Sequence, residues 1–475
     1  MKRITLPILP IIAFVSGFSL MVFELAAARV LAPSIGSSTY VWTSVIGVII
    51  AALSSGYWVG GKIADARNRL SDIAWICLAI AMTITATLLT YLPLIESTVQ
   101  AFDDARIQGV AASLLLFAPT SFLIGVLSPY LVKLRVTSLQ TSGQSFASLS
   151  ALESIGGITG TFITGFVLFG YIGAREAFAV IVLLLVVTSW LVVARHRWQL
   201  RIIVTIGILL FCFGSLQSLR DTSLDTASAH YTIFEGTRDG QLARGIATGP
   251  GGTQSGIYVD NPDKLLFWYT ERMAEAVAAA PKHDRLLVLG GGAFTLPRYL
   301  AKTYPDSHVD VVEIDPELAD ISRKYFSYDD PKNVQMIFED ARTYVNKSQK
   351  TYDVILVDVY SDADVPFSLM TREYGDQIAR LLSDDGIVVV NMIAGRHGAC
   401  GELLGVLDAP YRQSLPHAKY MIQSTILAKA NMIVAYSRQP LKWPGAVSLD
   451  LESIHAYRDN YAPAERLQQN CENTD

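Results

Sequence analysis

The chain has 475 residues, of which 51% are apolar and only 17% are charged, whereas an average soluble chain is about 25% charged. Residues 1–220 hold 14 Lys/Arg and 8 Asp/Glu, and the rest of the chain holds 24 and 35. This composition excludes a wholly soluble protein, a disordered chain and a small disulfide-rich scaffold, and the acidic second half argues against a nucleic-acid partner, which needs a basic surface.

Seven long apolar runs follow one another in the first half, and each is close to the roughly 20 residues that a helix needs to cross a bilayer. The runs are 7–28, 40–60, 73–95, 110–132, 154–173, 175–194 and 202–219. They predict an α-helical transmembrane bundle of about seven spans over residues 1–220. The lipid bilayer is then a partner of the chain, and a bacterial inner membrane is the natural setting for such an integral multi-pass protein.

Basic residues cluster in alternate loops of this bundle, which predicts a cytoplasmic N-terminus by the positive-inside rule. The clusters are Lys2 and Arg3; Lys62, Arg67 and Arg69; Lys133 and Arg135; and Arg195, Arg197 and Arg201. An odd number of spans would then place the second half of the chain outside the cytoplasm.

Two kinds of residue stand out inside the apolar runs. Glycine pairs at helix-packing spacing predict close helix contacts. Glu24 is a carboxylate within a span, where a charge is costly, and Arg29 is its expected local partner. A structural ion pair and a role in a substrate pathway both remain open for Glu24, whereas Glu153 is expected to reach the interface. The glycine pairs are Gly56 with Gly60 and Gly156 with Gly160.

The second half begins with short alternating runs broken by glycine, which predict a small β-hairpin subdomain over 221–262. A helix is expected at about 262–280. Strands and helices then alternate over 263–440, a pattern typical of an α/β Rossmann-like domain with a parallel sheet covered on both faces, and 441–475 is expected to be a C-terminal tail. The predicted strands are 286–290, 309–315, 334–340, 353–358 and 387–392, with helices near 294–303, 316–326 and 370–382, and the runs HAKYMIQ and NMIVAYS are expected to add an antiparallel pair.

Ligands of such sheets bind at the carboxyl ends of the strands, and this sequence places glycines and acids there. The order of elements indicates an adenosine-containing ligand, because a strand is followed by a Gly loop, a helix, a second strand and an acid. Acids on several sides favour a sulfonium such as S-adenosylmethionine over a pyrophosphate, although a strand-end Asp can simply cap the next helix. The residues are Gly290, Gly291 and Gly292 after the first strand, Glu313 and Asp315 after the second, Glu339 and Asp340 after the third, and Asp358 after the fourth.

These residues resemble the spermidine synthase (polyamine aminopropyltransferase) family over about 228–395, and the N-terminal spans resemble its membrane-integrated branch. The resemblance implies a transferase that uses S-adenosylmethionine or its decarboxylated form, with Asp358 as the general base and without a metal. It implies a small-molecule amine substrate and leaves a homo-oligomer open. The implied donor-binding residues are Gln254, Gly290, Gly291, Gly292, Glu313, Asp315, Asp340 and Ala341, and the implied amine-binding residues are Tyr269, Glu271, Tyr360, Asp362 and Asp364.

Three departures from the family pattern affect the donor and acceptor sites. The family loop reads Gly-Gly-Gly-Asp-Gly, and its Asp, which holds the donor amine, is Ala293 here. The His of a Tyr-His-Glu motif is Thr270, and the second Asp of the Asp-Ser-Ser-Asp-Pro loop falls on Ser361. Because Ala293 cannot pair with an ammonium, the donor can instead be intact S-adenosylmethionine with its carboxylate.

Four functions follow as alternatives. The first is aminopropyl transfer to a di- or polyamine with release of methylthioadenosine. The second is cleavage or cyclisation of intact S-adenosylmethionine to methylthioadenosine and an amino-acid fragment, and the third is methyl transfer on the same fold. The fourth is a transporter or sensor with a ligand-binding soluble domain, which Glu24 and the bundle of spans suggest.

The four cysteines leave the compartment open. Cys77 and Cys212 lie in apolar runs, as small core residues do. Cys400 and Cys471 are expected to be two free thiols, and the alternative is a disulfide that pins the tail in an oxidising compartment. Such a disulfide would fit a soluble half outside the cytoplasm, whereas S-adenosylmethionine is cytoplasmic, so the side of the membrane stays undecided.

Overall fold

The computed structural model describes residues 8–36, 38–67, 69–102, 104–136, 140, 142–192, 197–217, 223–226, 228–249, 253–360, 365–423, 429–451 and 455–472. The chain forms two compact units, Met1–Tyr231 and Thr232–Asp475. Lys2 and Arg3, and the predicted site residues Asp362 and Asp364, lie outside the described residues.

The first unit is helical, and the described residues of the seven predicted apolar runs lie almost entirely in helices. The fourth run is divided at Phe117 into two helices that are bent by 53°. Pro119 in the first turn of the second helix explains the break, because proline lacks the N–H that would continue the preceding helix. The elements are α1 (Ile8–Ile35), α2 (Thr39–Ala66), α3 (Leu70–Ala101), α4 (Ala105–Leu116), α5 (Ala118–Arg135), α6 (Ser142–Ile163), a π-helical turn (Thr164–Leu168), α7 (Phe169–Tyr171), α8 (Ala174–Leu191), α9 (Trp198–Gln217) and β1 (Ser223–Asp225).

Glycines let two helix pairs pack backbone against backbone. A Cβ on Gly56 of α2 would lie 2.1 Å from the carbonyl oxygen of Phe122 in α5. A Cβ on Gly156 of α6 would lie 2.0 Å from that of Phe14 in α1. The second glycine of each predicted pair would be 2.7 Å from the same partner helix. The close packing predicted from the glycine spacing is therefore confirmed.

Glu24 and Arg29 do not pair. The Arg29 guanidinium donates to the carbonyl oxygen of Thr226 at 2.7 Å and lies 4.0 Å from the centre of the Phe169 ring. Among the described residues, Glu24 forms no ion pair. The ion pair expected from the sequence is wrong because Arg29 bonds a backbone carbonyl far away in the chain.

The outer surface of the helical unit is strongly apolar. Among the described helices, six are long and apolar enough to cross a membrane, and the bent pair α4–α5 would make a seventh. Large apolar side chains point outward, including Phe166 at 76% exposure and Leu210 at 69%. Helix length and composition are compatible with a membrane protein, and the crossing itself stays a prediction.

The second unit begins with a small antiparallel sheet. Strand β2 (His230–Arg238) pairs with β3 (Gln241–Ala247), which pairs with β4 (Ser255–Tyr258). The β2–β3 turn is Asp239-Gly240, both with positive φ, as a tight hairpin requires. The next helix, α10 (Trp268–Ala278), begins later than predicted because Leu265 first forms a bridge with Ile257. The predicted hairpin is present.

A seven-stranded sheet follows, in the order β10-β11-β9-β8-β5-β6-β7. Strands β9, β8, β5, β6 and β7 run parallel, and β10 and β11 add the expected antiparallel pair. The predicted α/β Rossmann-like sheet is confirmed. The elements are β5 (Arg285–Leu289), α11 (Thr295–Thr303), β6 (His308–Glu313), α12 (Glu317–Tyr325), β7 (Val334–Phe338), α13 (Ala341–Lys347), β8 (Tyr352–Val357), α14 (Arg372–Leu381), β9 (Leu382–Ala394), α15 (Gly398–Arg412), β10 (His417–Ile422), β11 (Ala430–Ser437) and α16 (Ala464–Glu472).

The C-terminal segment is part of the core of this unit rather than a loose tail. Leu467 and Cys471 of α16 are buried in the same apolar cluster as Leu403 and Cys400 of α15. A disulfide joins Cys400 to Cys471. The interpretation of these cysteines as two free thiols is therefore wrong, because the tail folds back onto α15.

Candidate active site

The loop after β5 requires glycine at its first position, Gly290. Gly290 has φ +92°, and a Cβ there would lie 2.1 Å from the carbonyl oxygen of Asp358. Gly292 also has a positive φ, of +50°. The absence of side chains brings the ends of β5 and β8 into contact, and it leaves backbone open for the approach of a ligand.

Glu313, the last residue of β6, holds this loop in place. One carboxylate oxygen accepts from the N–H groups of Gly291 at 2.8 Å and Gly292 at 3.1 Å, and the other accepts from the N–H of Asp315 at 3.0 Å. Burial raises the pKa of Glu313, and the backbone N–H donors oppose that rise. A carboxylate has about four lone-pair sites, so one acceptor position remains for a ligand hydroxyl.

The residue after Ala293 adopts a conformation that usually belongs to glycine. Phe294 has φ +55°, at the place where the family loop has its last glycine. Its ring is fully buried and lies 5.2 Å, centre to centre, from the ring of Tyr328. Ala293 is 1% exposed and offers no carboxylate. The sequence therefore replaces both a charge and a glycine with side chains that pack.

Asp358 follows β8 and is the best candidate for a general base. Its carboxylate is half-buried and accepts a hydrogen bond from the Asn391 side-chain amide at 2.9 Å. Burial raises the pKa of Asp358 to about 6, against the opposing effect of the Asn391 donor. A base with a pKa just below neutrality is ionised at pH 7 and still accepts a proton well.

Asn391 and Asn431 were not found by sequence reasoning. The Asn431 amide donates to the Asn391 side-chain oxygen at 3.0 Å, which orients the Asn391 amide toward Asp358. The sheet register that pairs Val357 with Val390 brings Asn391 beside Asp358. The available signal was a polar residue at the end of the apolar run IVVVNM.

Tyr360, a predicted amine-binding residue, anchors the loop that follows β8. Its hydroxyl donates to the backbone carbonyl of Asn391 at 2.8 Å and accepts from the N–H of Ile393 at 2.9 Å. Both hydrogen-bonding directions of the hydroxyl are thus used by β9. Tyr360 therefore fixes the start of the loop that carries Asp358.

The predicted residues on α10 and before it lie partly in this site. The Tyr269 hydroxyl donates to the backbone carbonyl of Gln254 at 2.9 Å. Burial raises the pKa of Tyr269 well above its usual value, and the negative charge of Asp358 adds to the rise. Glu271 is half-exposed, 3.6 Å from the Arg272 guanidinium, and Thr270 is buried and bonds within its own helix.

The remaining predicted acids have structural roles in the fold. Asp315 is fully buried and accepts from the N–H of Glu317 at the start of α12. Asp340 is exposed and caps α13 by accepting from the N–H of Thr343 at 2.8 Å. Ala341, the first residue of α13, is buried. Hydrogen bonds at the starts of the following helices account for these contacts of the two Asp side chains, and the second carboxylate oxygen of Asp340 can accept from a ligand.

The site residues therefore form a row along the carboxyl edge of the sheet. Five consecutive strands of the sheet, β9, β8, β5, β6 and β7, each supply one part of the site. In that order, the parts are Asn391 within β9, Asp358 just after β8, the Gly290–Gly292 loop after β5, Glu313 at the end of β6, and Asp340 after β7. In a parallel sheet this edge is the usual ligand crevice. The Gly290–Gly292 loop and Glu313 on the next strand suit the binding of an electrophile that is linked to a nucleoside. Asp358 suits a neighbouring nucleophile that must lose a proton.

The part of the chain that resembles known proteins includes the residues at this edge of the sheet. Residues 266–395 match the family model described as the spermine/spermidine synthase domain. A polyamine aminopropyltransferase of Vibrio vulnificus is 39% identical over 139 residues, which are 28% of this chain and 46% of the relative. A probable polyamine aminopropyl transferase of Bifidobacterium longum is 33% identical over 138 residues, 29% of this chain and 30% of the relative.

Among solved structures, a probable spermidine synthase from Corynebacterium glutamicum is 26% identical, with a TM-score of 0.41, and the match covers 46% of this chain and 80% of that one. This chain spans less than half the length of the two curated relatives it matches. The matched segment contains the Gly loop, Glu313, Asp358 and Asn391. Over residues 266–395 the resemblance seen in the sequence is confirmed, because this segment matches the spermine/spermidine synthase domain.

Proposed function

We propose that the second unit is a polyamine aminopropyltransferase-like enzyme that uses decarboxylated S-adenosylmethionine. The observation that carries the proposal is Asp358: its half-buried carboxylate has a pKa of about 6, and its backbone carbonyl packs directly against Gly290 at the start of the Gly loop. That segment lies within the matched spermine/spermidine synthase domain, whose curated relatives carry the name polyamine aminopropyltransferase.

The chemistry needs one proton acceptor and one adenosine site. Asp358 takes a proton from the ammonium group of the acceptor, and the freed nitrogen lone pair attacks the aminopropyl carbon next to sulfur. A C–N bond forms, the C–S bond breaks, and its electron pair returns to sulfur, which leaves as the neutral thioether of methylthioadenosine. Glu313 would accept a ribose hydroxyl, and Tyr269, Glu271, Asp362 and Asp364 would hold the acceptor amine.

Ala293 supports a second candidate at the same site. Where the family has an acid for the donor amine, this chain has a buried methyl group. A lost partner for a buried ammonium costs about 3–5 kcal/mol, which is enough to change the donor. The second candidate is therefore cleavage of intact S-adenosylmethionine at the same C–S bond, by its own carboxylate, its own amine or water.

The helical unit supports a membrane location. Helices of spanning length present large apolar side chains such as Phe166, Leu210 and Ile203 on their outside, and contiguous exposed apolar surface on this scale suits lipid better than water. We propose that residues 8–217 anchor the enzyme in a bilayer, in keeping with the membrane-integrated branch that the sequence resembles.

Product analysis of the full chain in detergent tests the proposal. The protein is incubated with decarboxylated S-adenosylmethionine and putrescine, or with intact S-adenosylmethionine alone, and the products are identified by mass spectrometry. Methylthioadenosine and spermidine from the first mixture are expected. Methylthioadenosine from the second mixture alone would replace the first candidate with the second, and S-adenosylhomocysteine would show methyl transfer instead.

An Asp358→Asn variant is the control for the base. Loss of a general base costs typically 10²–10⁴-fold in rate, and we expect a loss in that range. Asn is nearly isosteric with Asp. Because burial raises the pKa of Asp358, the ionised carboxylate lowers the stability of the folded protein at pH values above its ordinary pKa of about 4. The variant should therefore melt at the same temperature as the wild type or higher at pH 8, and full activity in it would exclude Asp358 as the base.

A further inference from the structure

A large, partly open cavity lies in the helical unit and is lined by α1, α2, α5 and α6. Its volume is about 930 Å³, which is the size of pockets that hold drug-sized ligands. Most of its lining is apolar, for example Leu20, Met21, Val132 and Ile158. All of these residues belong to the first unit, so the cavity is independent of the site on the sheet.

Glu153 of α6 is the uncompensated charge in this lining. Its carboxylate oxygens accept hydrogen bonds from the Ser128 hydroxyl at 2.9 Å and the Ser16 hydroxyl at 3.4 Å. Over the described part of the chain, Glu153 forms no ion pair. The other two charged lining residues, Asp65 and Lys133, pair with each other at 2.6 Å. With Glu153 ionised, the lining as a whole therefore carries one net negative charge.

Close backbone contact fixes the position of Glu153. A Cβ on Gly17 of α1 would lie 1.8 Å from the Glu153 carbonyl oxygen, so α1 and α6 touch at this point. Ser16, beside Gly17, therefore sits at a fixed place relative to the carboxylate. This arrangement differs from the expectation that Glu153 reaches the interface, because its carboxylate is instead held by two hydroxyls at the wall of a cavity.

We propose that this cavity binds an organic cation with a single positive charge and an apolar body. A carboxylate in an apolar environment is costly unless a cation neutralises it, and the apolar lining supplies the contact area for the rest of the ligand. A polyamine is disfavoured here, because the only other acid in the described lining is Asp65, which already pairs with Lys133, so a further ammonium group would find no unpaired acid.

Binding of tetraphenylphosphonium to the purified full chain in detergent tests this inference. Tetraphenylphosphonium is a permanent, apolar monocation, so its charge does not depend on pH. Equilibrium dialysis is expected to show one saturable site. Glu153→Gln should weaken binding at least tenfold, whereas the matched variant Glu24→Gln, which also removes a carboxylate from the bundle but not from the cavity lining, should leave the affinity within twofold.

A second pair of variants tests the location without touching the charge. Gly61 lines the cavity, and a Cβ there has no atom within 4 Å, so Gly61→Leu projects a side chain into open space. It should block binding, whereas Gly47→Leu, at another open glycine of α2 outside the lining, should not. Equal affinity of the wild type and Glu153→Gln, unchanged binding in Gly61→Leu, or stronger binding of spermidine than of tetraphenylphosphonium would each overturn the proposal.

Discussion

Among single residues, Asp358 has an environment that would set the working pH range of the proposed enzyme. Burial raises its pKa to about 6, so the carboxylate is ionised at pH 7 and protonated at pH 5. If Asp358 is the base, kcat/KM should fall about tenfold for each pH unit below 6 and level off above it. Methylthioadenosine release measured from pH 4.5 to 8.5 checks this expectation.

Circular dichroism at each pH separates a loss of activity from unfolding. A rate that stays constant down to pH 5, in a protein that remains folded, would contradict the role of Asp358 as base.

Asn391 is expected to lower the pKa of that base. Its amide donates to the Asp358 carboxylate at 2.9 Å, and a donor to the charged form stabilises it. Asn391→Leu removes the donor, so the pKa of Asp358 should rise and the acidic limb of the pH–rate profile should move up by about one unit. If the variant lowers kcat at every pH without moving the limb, Asn391 is only structural.

Asn431→Leu offers a graded comparison, because Asn431 touches Asn391 and not Asp358. Its removal frees the Asn391 amide to rotate, and a smaller shift in the same direction is expected.

At the scale of elements, the loop between β5 and α11 combines a strained backbone with a buried ring. The left-handed φ of Phe294 costs about 1–2 kcal/mol relative to glycine, whereas deleting a buried Phe ring costs about 3–5 kcal/mol. Phe294→Ala loses the ring and keeps the strain, and Phe294→Gly loses both. We therefore expect both variants to be destabilised, and Phe294→Gly to be about 1 kcal/mol more stable than Phe294→Ala.

Thermal melts of the two variants, compared with the wild type, measure this difference. Without backbone strain at position 294, Phe294→Ala should be the more stable of the two variants, because glycine loses more conformational entropy on folding than alanine does. A higher melting temperature for Phe294→Ala would therefore show that Phe294 is not strained.

Elements with a simple apolar pattern could be predicted from the sequence, and those formed by tertiary contacts could not. The parallel strands are recognisable because runs such as LLVL are buried on both faces. Helix α15 was missed because GACGELLGVLDAPYR has three glycines and a proline, which are poor helix formers. It forms because Leu403 and Leu404 pack into the core of the sheet domain.

The same contrast holds for the site. Gly290–Gly292, Glu313 and Asp358 could be found because they directly follow strands, and that edge of the sheet collects ligand-binding residues. Asn391 could not, because its contact with Asp358 depends on the register between β8 and β9. The use of Glu313 as a clamp on the Gly loop also needed the three-dimensional structure.

For the whole molecule, the Cys400–Cys471 disulfide bears on the side of the membrane that the second unit would face if the helical unit is the proposed anchor. Disulfides persist in oxidising compartments, and seven spans from a cytoplasmic N-terminus would also place this unit outside the cytoplasm. We predict that N-ethylmaleimide, added to intact cells and during lysis under denaturing conditions, leaves Cys400 and Cys471 unmodified until a reductant is present.

Immediate alkylation of both cysteines, read by peptide mass spectrometry, would show a reduced pair and favour a cytoplasmic catalytic unit. The disulfide closes a segment with a sequence separation of 71, so Cys471→Ala should lower the stability of the oxidised protein by about 4 kcal/mol in the loop-entropy estimate.

The proposed aminopropyl transfer at the edge of the sheet can be followed through the fate of labelled carbon. Decarboxylated S-adenosylmethionine with ¹³C in its three-carbon aminopropyl chain is given to the full chain together with unlabelled putrescine. We expect labelled spermidine and unlabelled methylthioadenosine in equal amounts, with both lost in Asp358→Asn. Label that stays in the intact donor, or that appears only in hydrolysis products while putrescine is untouched, would contradict it.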